Sequence, residues 1–365
     1  MTGAERHAWL DLCRALAILL VLLSHGRFFL NPVFPAADAF RFGGFLGVEL
    51  FFVLSGFLIG GILIGKASDR AREDRPWLQA FYARRWFRTL PNYYLFLAIN
   101  VLLVWIGLRP GPLAEAWRYA VFIQNLFWPS PAFFAEAWSL AVEEVFYLLF
   151  PLCFLALARV AGWSPRRAIL PTALAVVVLS LLARLLVADS VASWDDGIRK
   201  VVFLRLDALM FGVLLAWWHG RPGEHTWAHG ALVSGALVLF VASAAYFVRN
   251  PEAGLDHSYF AKTFYLSLTS IGCAGVVIAG LRWNPPPALT VPGGFVARVS
   301  YAAYLTNIPV AMAVLMLADR WGNDTPATAL LMWSIFMGAS IASAYLVHLW
   351  VERPCYRLRD RLVPA

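Results

Sequence analysis

Charge is scarce in this chain. Asp, Glu, Lys and Arg make up 14% of its 365 residues, against about 25% in soluble globular domains, so water cannot be the main solvent of the folded protein. Cysteine is scarcer still: Cys13, Cys153, Cys273 and Cys355 stand far apart, in or beside apolar segments, with no CxxC pair and no Cys/His spacing. That argues against a disulfide framework and against zinc, and no metal site is expected. No basic amphipathic stripe accompanies the net charge of +8, which removes the usual footprint of a nucleic-acid binder. No internal repeat or low-complexity tract breaks the chain, so a solenoid is excluded and a single domain over residues 1–365, without a soluble appendage, is expected. No small-residue cleavage site follows the first apolar segment, which is too long for a signal-peptide core and reads as a retained helix.

What the chain has in excess is apolar length. Hydrophobic residues make up 61% of it, and they fall into ten stretches long enough to cross a bilayer. These are Trp9–Leu30, Gly44–Gly65, Thr89–Leu108, Trp138–Val160, Ala168–Ala188, Val201–His219, Ala228–Val248, Lys262–Leu281, Arg298–Leu317 and Ala327–Trp350. The fold class is therefore an all-α polytopic membrane protein whose ten helices place both termini on one side. Of the 30 Lys and Arg, 18 fall on the side of the termini, nine on the other and three (Arg14, Arg184, Arg205) inside helices, so the positive-inside rule makes the termini cytoplasmic. The connection from Gly111 to Ala137 contains a run, Tyr119–Trp128, that is apolar but too short to span; it reads as re-entrant or interfacial. Trp117, Trp128 and Trp194, near the far face, suit either sugar stacking or an aromatic belt.

Ionisable groups inside spans cost about 2.5–3.5 kcal/mol each on insertion scales, so they mark candidate sites. Arg14 and His25 lie eleven residues apart on the first helix, roughly 16 Å along its axis. Glu49, Glu143, Arg205 and Asp207 fall at about the depth of His25, and a single polar chamber in the outer half of the membrane is the simplest expectation. Arg184 has no evident partner and reads as a snorkelling or structural residue. At the opposite surface Arg85 and Arg88 precede the third span, where guanidinium forks suit phosphate.

The strings RALAILLVLLSH, GVELFFVLSGFLI, RRWFRTLPNYY, WSLAVEEVFYLLFP, RLDALMFG, SYAAYLTN and VERP follow one another in this order over nearly the whole chain. Together they resemble the membrane acyltransferase-3 family. The resemblance implies ten core helices in a bacterial cytoplasmic (inner) membrane and transfer of acyl groups, often acetyl, to carbohydrates of surface polysaccharides, lipid-linked glycans or macrolides. It also implies that His25 is the catalytic histidine with Arg14 its motif partner, that Arg85 and Arg88 serve the acyl donor, and that Glu143 and Glu144 are the acidic pair of the Trp-Ser-Leu motif, one turn before Tyr147. Two positions depart from the family pattern: Glu49 stands where Asp is common, and Asn307 where His is common, which puts a second catalytic histidine in doubt.

These readings combine into one mechanism. Acyl-CoA, a donor substrate rather than a bound cofactor, would rest its phosphates on Arg85 and Arg88 and run its pantetheine arm beside the first helix. His25 would act as general base on the acceptor hydroxyl, or as a nucleophile through an acyl-imidazole. Glu143 would orient the imidazole as the acid of a triad does. Glu49, Glu144, Tyr147, Arg205, Asp207 and Asn307 complete the expected chamber on the acceptor side. The rival reading is a transporter or flippase of lipid-linked sugars without acyl chemistry, since buried charges also line transport paths.

Overall fold

The computed structural model describes residues 7–68, 77–131, 133–220, 226–322 and 324–363, with the side chains of 226–229 excepted. Thirteen α-helices occur among them and no strand does. In chain order they are α1 (Ala8–Leu30), α2 (Arg41–Ser68), α3 (Trp77–Trp105), α4 (Ala116–Ala120), α5 (Ala137–Ala161), α6 (Pro165–Val187), α7 (Leu206–His219), α8 (Thr226–Arg249), α9 (Glu252–His257), α10 (Leu266–Ala279), α11 (Pro287–Trp321), α12 (Pro326–Val347) and α13 (Arg353–Leu362). Arg6, Arg70, Arg72, Arg75 and Arg221, which weigh in the charge balance, lie outside the described residues.

Each of the ten apolar stretches forms a helix, but not all alike. Among the described residues nine helical stretches are long and apolar enough to cross a membrane. The sixth stretch is shorter: 202–204 is a 3-10 turn and the α-helix begins only at Leu206, giving 14 residues, about 21 Å. The connection before α5 packs against the 3-10 turn that precedes this short helix. There α4 and the irregular chain after it fold back into the protein, with Tyr119, Phe133 and Phe134 fully buried. Asn125 Nδ2 donates to the carbonyls of Trp138 (3.1 Å) and Lys200 (2.6 Å), while the Val202 N–H donates to the Asn125 carbonyl (2.9 Å). Irregular backbone is tolerable at this depth because it is enclosed by protein.

The centre of the bundle is α2, packed on α1, α7 and α10, with α11 and α12 against the opposite side of α1. Small residues let α2 and α7 touch: a Cβ on Gly56 would stand 1.9 Å from the Leu209 carbonyl oxygen, and one on Gly212 2.2 Å from that of Val53, the close backbone approach on which helices in lipid depend. At the end of the bundle bearing the termini, Arg84 Nη1 donates to the Val363 carbonyl (2.6 Å), and the Tyr301 hydroxyl on α11 donates to the Thr89 carbonyl on α3 (2.9 Å). α3 and α11 are thereby held together beside α1.

Candidate active site

Two cavities lie along α1. The inner one, about 840 Å³, is bounded by α1, α2, α3, α5 and α11; Arg14, Arg85, Arg88 and Glu143 line it. The outer one, about 1040 Å³, contains His25 and lies among the far ends of α1, α2 and α5 and the 194–200 segment. Val48 and Tyr304 line both cavities, so the two volumes adjoin at these side chains.

In the inner cavity the charges are unevenly matched. Arg14 is paired with Asp11 (3.1 Å). Arg85 and Arg88 have no carboxylate within ion-pairing distance among the described residues; Arg85 instead stands 6.0 Å from the Tyr147 ring centroid. Glu143 accepts from the Ser55 hydroxyl (2.7 Å) and from the Tyr147 hydroxyl (3.1 Å). Glu144 accepts from the Thr89 hydroxyl (2.7 Å) and borders neither cavity. Two guanidinium groups without a direct ion pair among the described residues, with Glu143 in the same lining, are chemically suited to an anion.

In the outer cavity His25 has one side-chain hydrogen-bond partner among the described residues. Asn307 Nδ2 donates to the carbonyls of Ala303 (3.2 Å) and Tyr304 (2.6 Å), which fixes the amide with its Oδ1 towards the ring. His25 Nδ1, 2.5 Å from that oxygen, must then carry the proton, since a carbonyl oxygen can only accept. Nε2 is left with a free lone pair.

The structure divides the single chamber expected from depth. Glu143 lines the inner cavity with Arg85 and Arg88 and is bonded to Ser55 and Tyr147, not to the imidazole. Glu49, Arg205 and Asp207 line neither cavity and are fully buried. Arg205 Nη2 meets Glu49 Oε2 at 2.6 Å, Arg184 Nη2 meets Asp207 Oδ2 at 2.7 Å, and Ser267 and Ser270 donate to the two carboxylates. Arg184 thus has a structural partner and does not snorkel. Helical depth places these residues level with His25, but their azimuth turns them into the junction of α2, α6, α7 and α10. Trp194 is buried, its indole N–H donating to the Ala261 carbonyl (2.9 Å), whereas Trp117 and Trp128 stay exposed on the surface with Arg118 over both rings.

The sequence of the chain matches the family described as "Acyltransferase domain" (Acyl_transf_3) over residues 7–349. The chain belongs to this acyltransferase family. It is similar to the O-acetyltransferase OatA of Staphylococcus aureus, 32% identical over 221 residues, which are 57% of this chain and 34% of the relative. The putative peptidoglycan O-acetyltransferase YrhL of Bacillus subtilis is 32% identical over 222 residues, 56% of this chain and 32% of the relative. The peptidoglycan O-acetyltransferase OatA of Listeria monocytogenes is 30% identical over 158 residues, 39% and 23% of the two chains. The matched region thus spans about a third or less of these relatives. No solved structure matches the chain.

Three further residues of the chain border the two cavities without having stood out in its sequence. Tyr304, between the cavities, is bonded to the Ser139 hydroxyl (2.7 Å). Arg199 lies 4.8 Å from the Trp138 ring centroid in the outer cavity, paired with Asp195 (2.5 Å). Glu136, immediately before α5, lines the outer cavity and is buried. It precedes the first apolar residue of its span and so reads as an ordinary loop carboxylate until the fold encloses it.

Proposed function

We propose that this chain is a membrane O-acyltransferase moving an acyl group, acetyl in the simplest case, from cytoplasmic acyl-CoA to a hydroxyl of a carbohydrate acceptor. The observation that carries this reading is the pair of cavities meeting at Val48 and Tyr304, one with unpaired guanidinium groups and the other with a histidine whose Nε2 is free. The CoA phosphates would sit on Arg85 and Arg88, with Arg14 beside them. The thioester would reach the partition, because the rise from Arg14 to His25, roughly 16 Å, suits a pantetheine arm.

At the partition the acceptor oxygen attacks the thioester carbonyl carbon while His25 Nε2 takes the hydroxyl proton. The C–S bond breaks, and the CoA thiolate leaves and is reprotonated. Asn307 holds the imidazole in the tautomer this step requires, a role that in hydrolytic triads falls to a carboxylate. The names of the relatives bring peptidoglycan forward as one acceptor within the surface-glycan class. The charge distribution and the family support localisation in the cytoplasmic membrane of a bacterium with the termini inside.

Membranes containing the protein, supplied with radiolabelled acetyl-CoA and a panel of glycans, should release CoA and label a glycan hydroxyl in parallel. Glycan translocation without CoA release would replace this reading by transport.

A further inference from the structure

Glu136 is an anomaly in the outer cavity. The residue is 96% buried, at 4% exposure, yet neither carboxyl oxygen has a hydrogen-bond partner from another of the described residues. A buried carboxylate left unsatisfied costs free energy and persists where something repays it. Helix capping does not: Glu136 occupies the N-cap position of α5, but its side chain makes no capping bond. Ion pairing does not either, since the cavity's cations are engaged elsewhere. Arg199 and Lys200 hold Asp195, Arg27 holds Asp38 (3.2 Å), and Arg41 donates to the carbonyls of Phe247 and Asn250.

We infer that Glu136 is an acceptor-binding residue of the outer cavity, its carboxylate accepting hydrogen bonds from hydroxyls of the carbohydrate that His25 deprotonates. This rests on the acyl-transfer reading above. A carboxylate without a partner could also recognise an ammonium group, but the lining sets Arg27, Arg41, Arg199 and Lys200 against Glu136, Asp195 and Glu252, a small positive excess that disfavours a cationic ligand and does not penalise neutral hydroxyls. The two oxygens match two neighbouring hydroxyls of one ring, and Trp138 in the same wall offers an aromatic face to that ring. The ligand class is therefore a polyhydroxylated sugar bearing a free vicinal diol.

The test uses the full-length protein in detergent or nanodiscs, with wild type, Glu136→Gln and Glu136→Ala compared for size-exclusion profile, turnover and glycan binding. Turnover is followed with acetyl-CoA and soluble glycan oligomers. Both variants should raise the acceptor KM about tenfold or more, the usual worth of a hydrogen bond to a charged group, and leave the acetyl-CoA KM within about twofold. A glycan lacking the neighbouring hydroxyl should lose the same factor on wild type and little further on Glu136→Ala, the non-additivity of one shared contact. Glycan binding read from tryptophan fluorescence without acyl-CoA should weaken in the same ratio, and this arm stands even if wild type shows no turnover and the acyl-transfer reading itself fails. Equal glycan affinity in wild type and a well-folded Glu136→Gln, or a parallel rise of both KM values, would overturn the assignment.

Discussion

The Oδ1 of Asn307 lies 2.5 Å from the Nδ1 of His25, while the Asn307 amide nitrogen is held by two backbone carbonyls of α11. The ring is thereby locked with its proton on Nδ1 and its lone pair on Nε2. His25→Ala should lower turnover by about 10² or more, the common value of a positioned acid–base group. Asn307→Leu should keep the histidine but release its tautomer and orientation, costing about tenfold in kcat. The double variant should be no slower than His25→Ala alone, because both act through one imidazole. Initial rates in matched preparations of equal size-exclusion profile measure this, and additive losses would separate the two residues.

Arg85→Ala and Arg88→Ala remove guanidinium groups that make no direct ion pair with a protein carboxylate among the described residues. The apparent KM for acyl-CoA should rise about tenfold or more, the acceptor KM should stay near wild type, and the effect should shrink at high salt as screening grows. A change confined to the acceptor KM would move the donor to the outer cavity.

Glu49 and Arg205 should behave as architecture. Arg205→Met leaves Glu49 uncompensated inside the α2–α7–α10 junction and should cost about 3–5 kcal/mol of stability, with a paired Glu49→Leu/Arg205→Met replacement much milder. Thermal melting in detergent reports the loss, and both substrate KM values of whatever fraction stays folded should be unchanged.

What the sequence made legible was depth, and what it hid was azimuth. The apolar period and the charges between spans located each helix, because a bilayer fixes length and polarity along its normal. His25, Arg14, Arg85 and Arg88 could be sorted to two levels on that ground alone. Glu49, Glu143, Arg205 and Asp207 share a level as well, yet they turn to different neighbours, and only helix packing decides which face of α2 or α7 meets which partner. Asn307 stood out only as a departure from a pattern; its value to His25 needed the two backbone carbonyls that orient its amide. Glu136 could not be distinguished from a solvated loop residue until the fold enclosed it in the wall of the outer cavity.

Topology can be checked with the protein's own thiols. Cys13 and Cys273 are buried, while Cys355 is partly exposed near the end that carries the termini. With the exposed Cys153 replaced by Ser, Cys355 should react with an impermeant maleimide only from the cytoplasmic face. Asp196→Cys, in the segment between α6 and α7 at the far end, should react only from outside. Labelling of residue 196 from the cytoplasm would invert the orientation.

Glu136 also predicts a pH dependence. It stands in the connection before α5, outside the spanning helices, and burial pushes its carboxyl up to about 7, with its own backbone N–H and Arg109 pulling the other way. His25, Arg27 and Arg41 face the same cavity from α1 and α2, Asp195, Arg199 and Lys200 from the segment before α7, and Glu252 from α9. These are unchanged in Glu136→Gln, so the difference between the two proteins isolates the one carboxyl. A carboxyl whose folded value lies above its unfolded value binds more protons folded than unfolded, so its contribution to stability falls as pH rises from about 4.5 to about 7 and is level beyond. Glu136→Gln should therefore melt close to wild type at pH 5 and higher than wild type at pH 8, by roughly 1–3 kcal/mol. The acceptor KM should run the other way: only the ionised carboxylate accepts from two hydroxyls, so on wild type the KM should fall as pH rises through about 7, and on Glu136→Gln that component should vanish. A variant less stable than wild type at pH 8, with an unchanged pH profile for the acceptor, would make Glu136 a structural carboxylate.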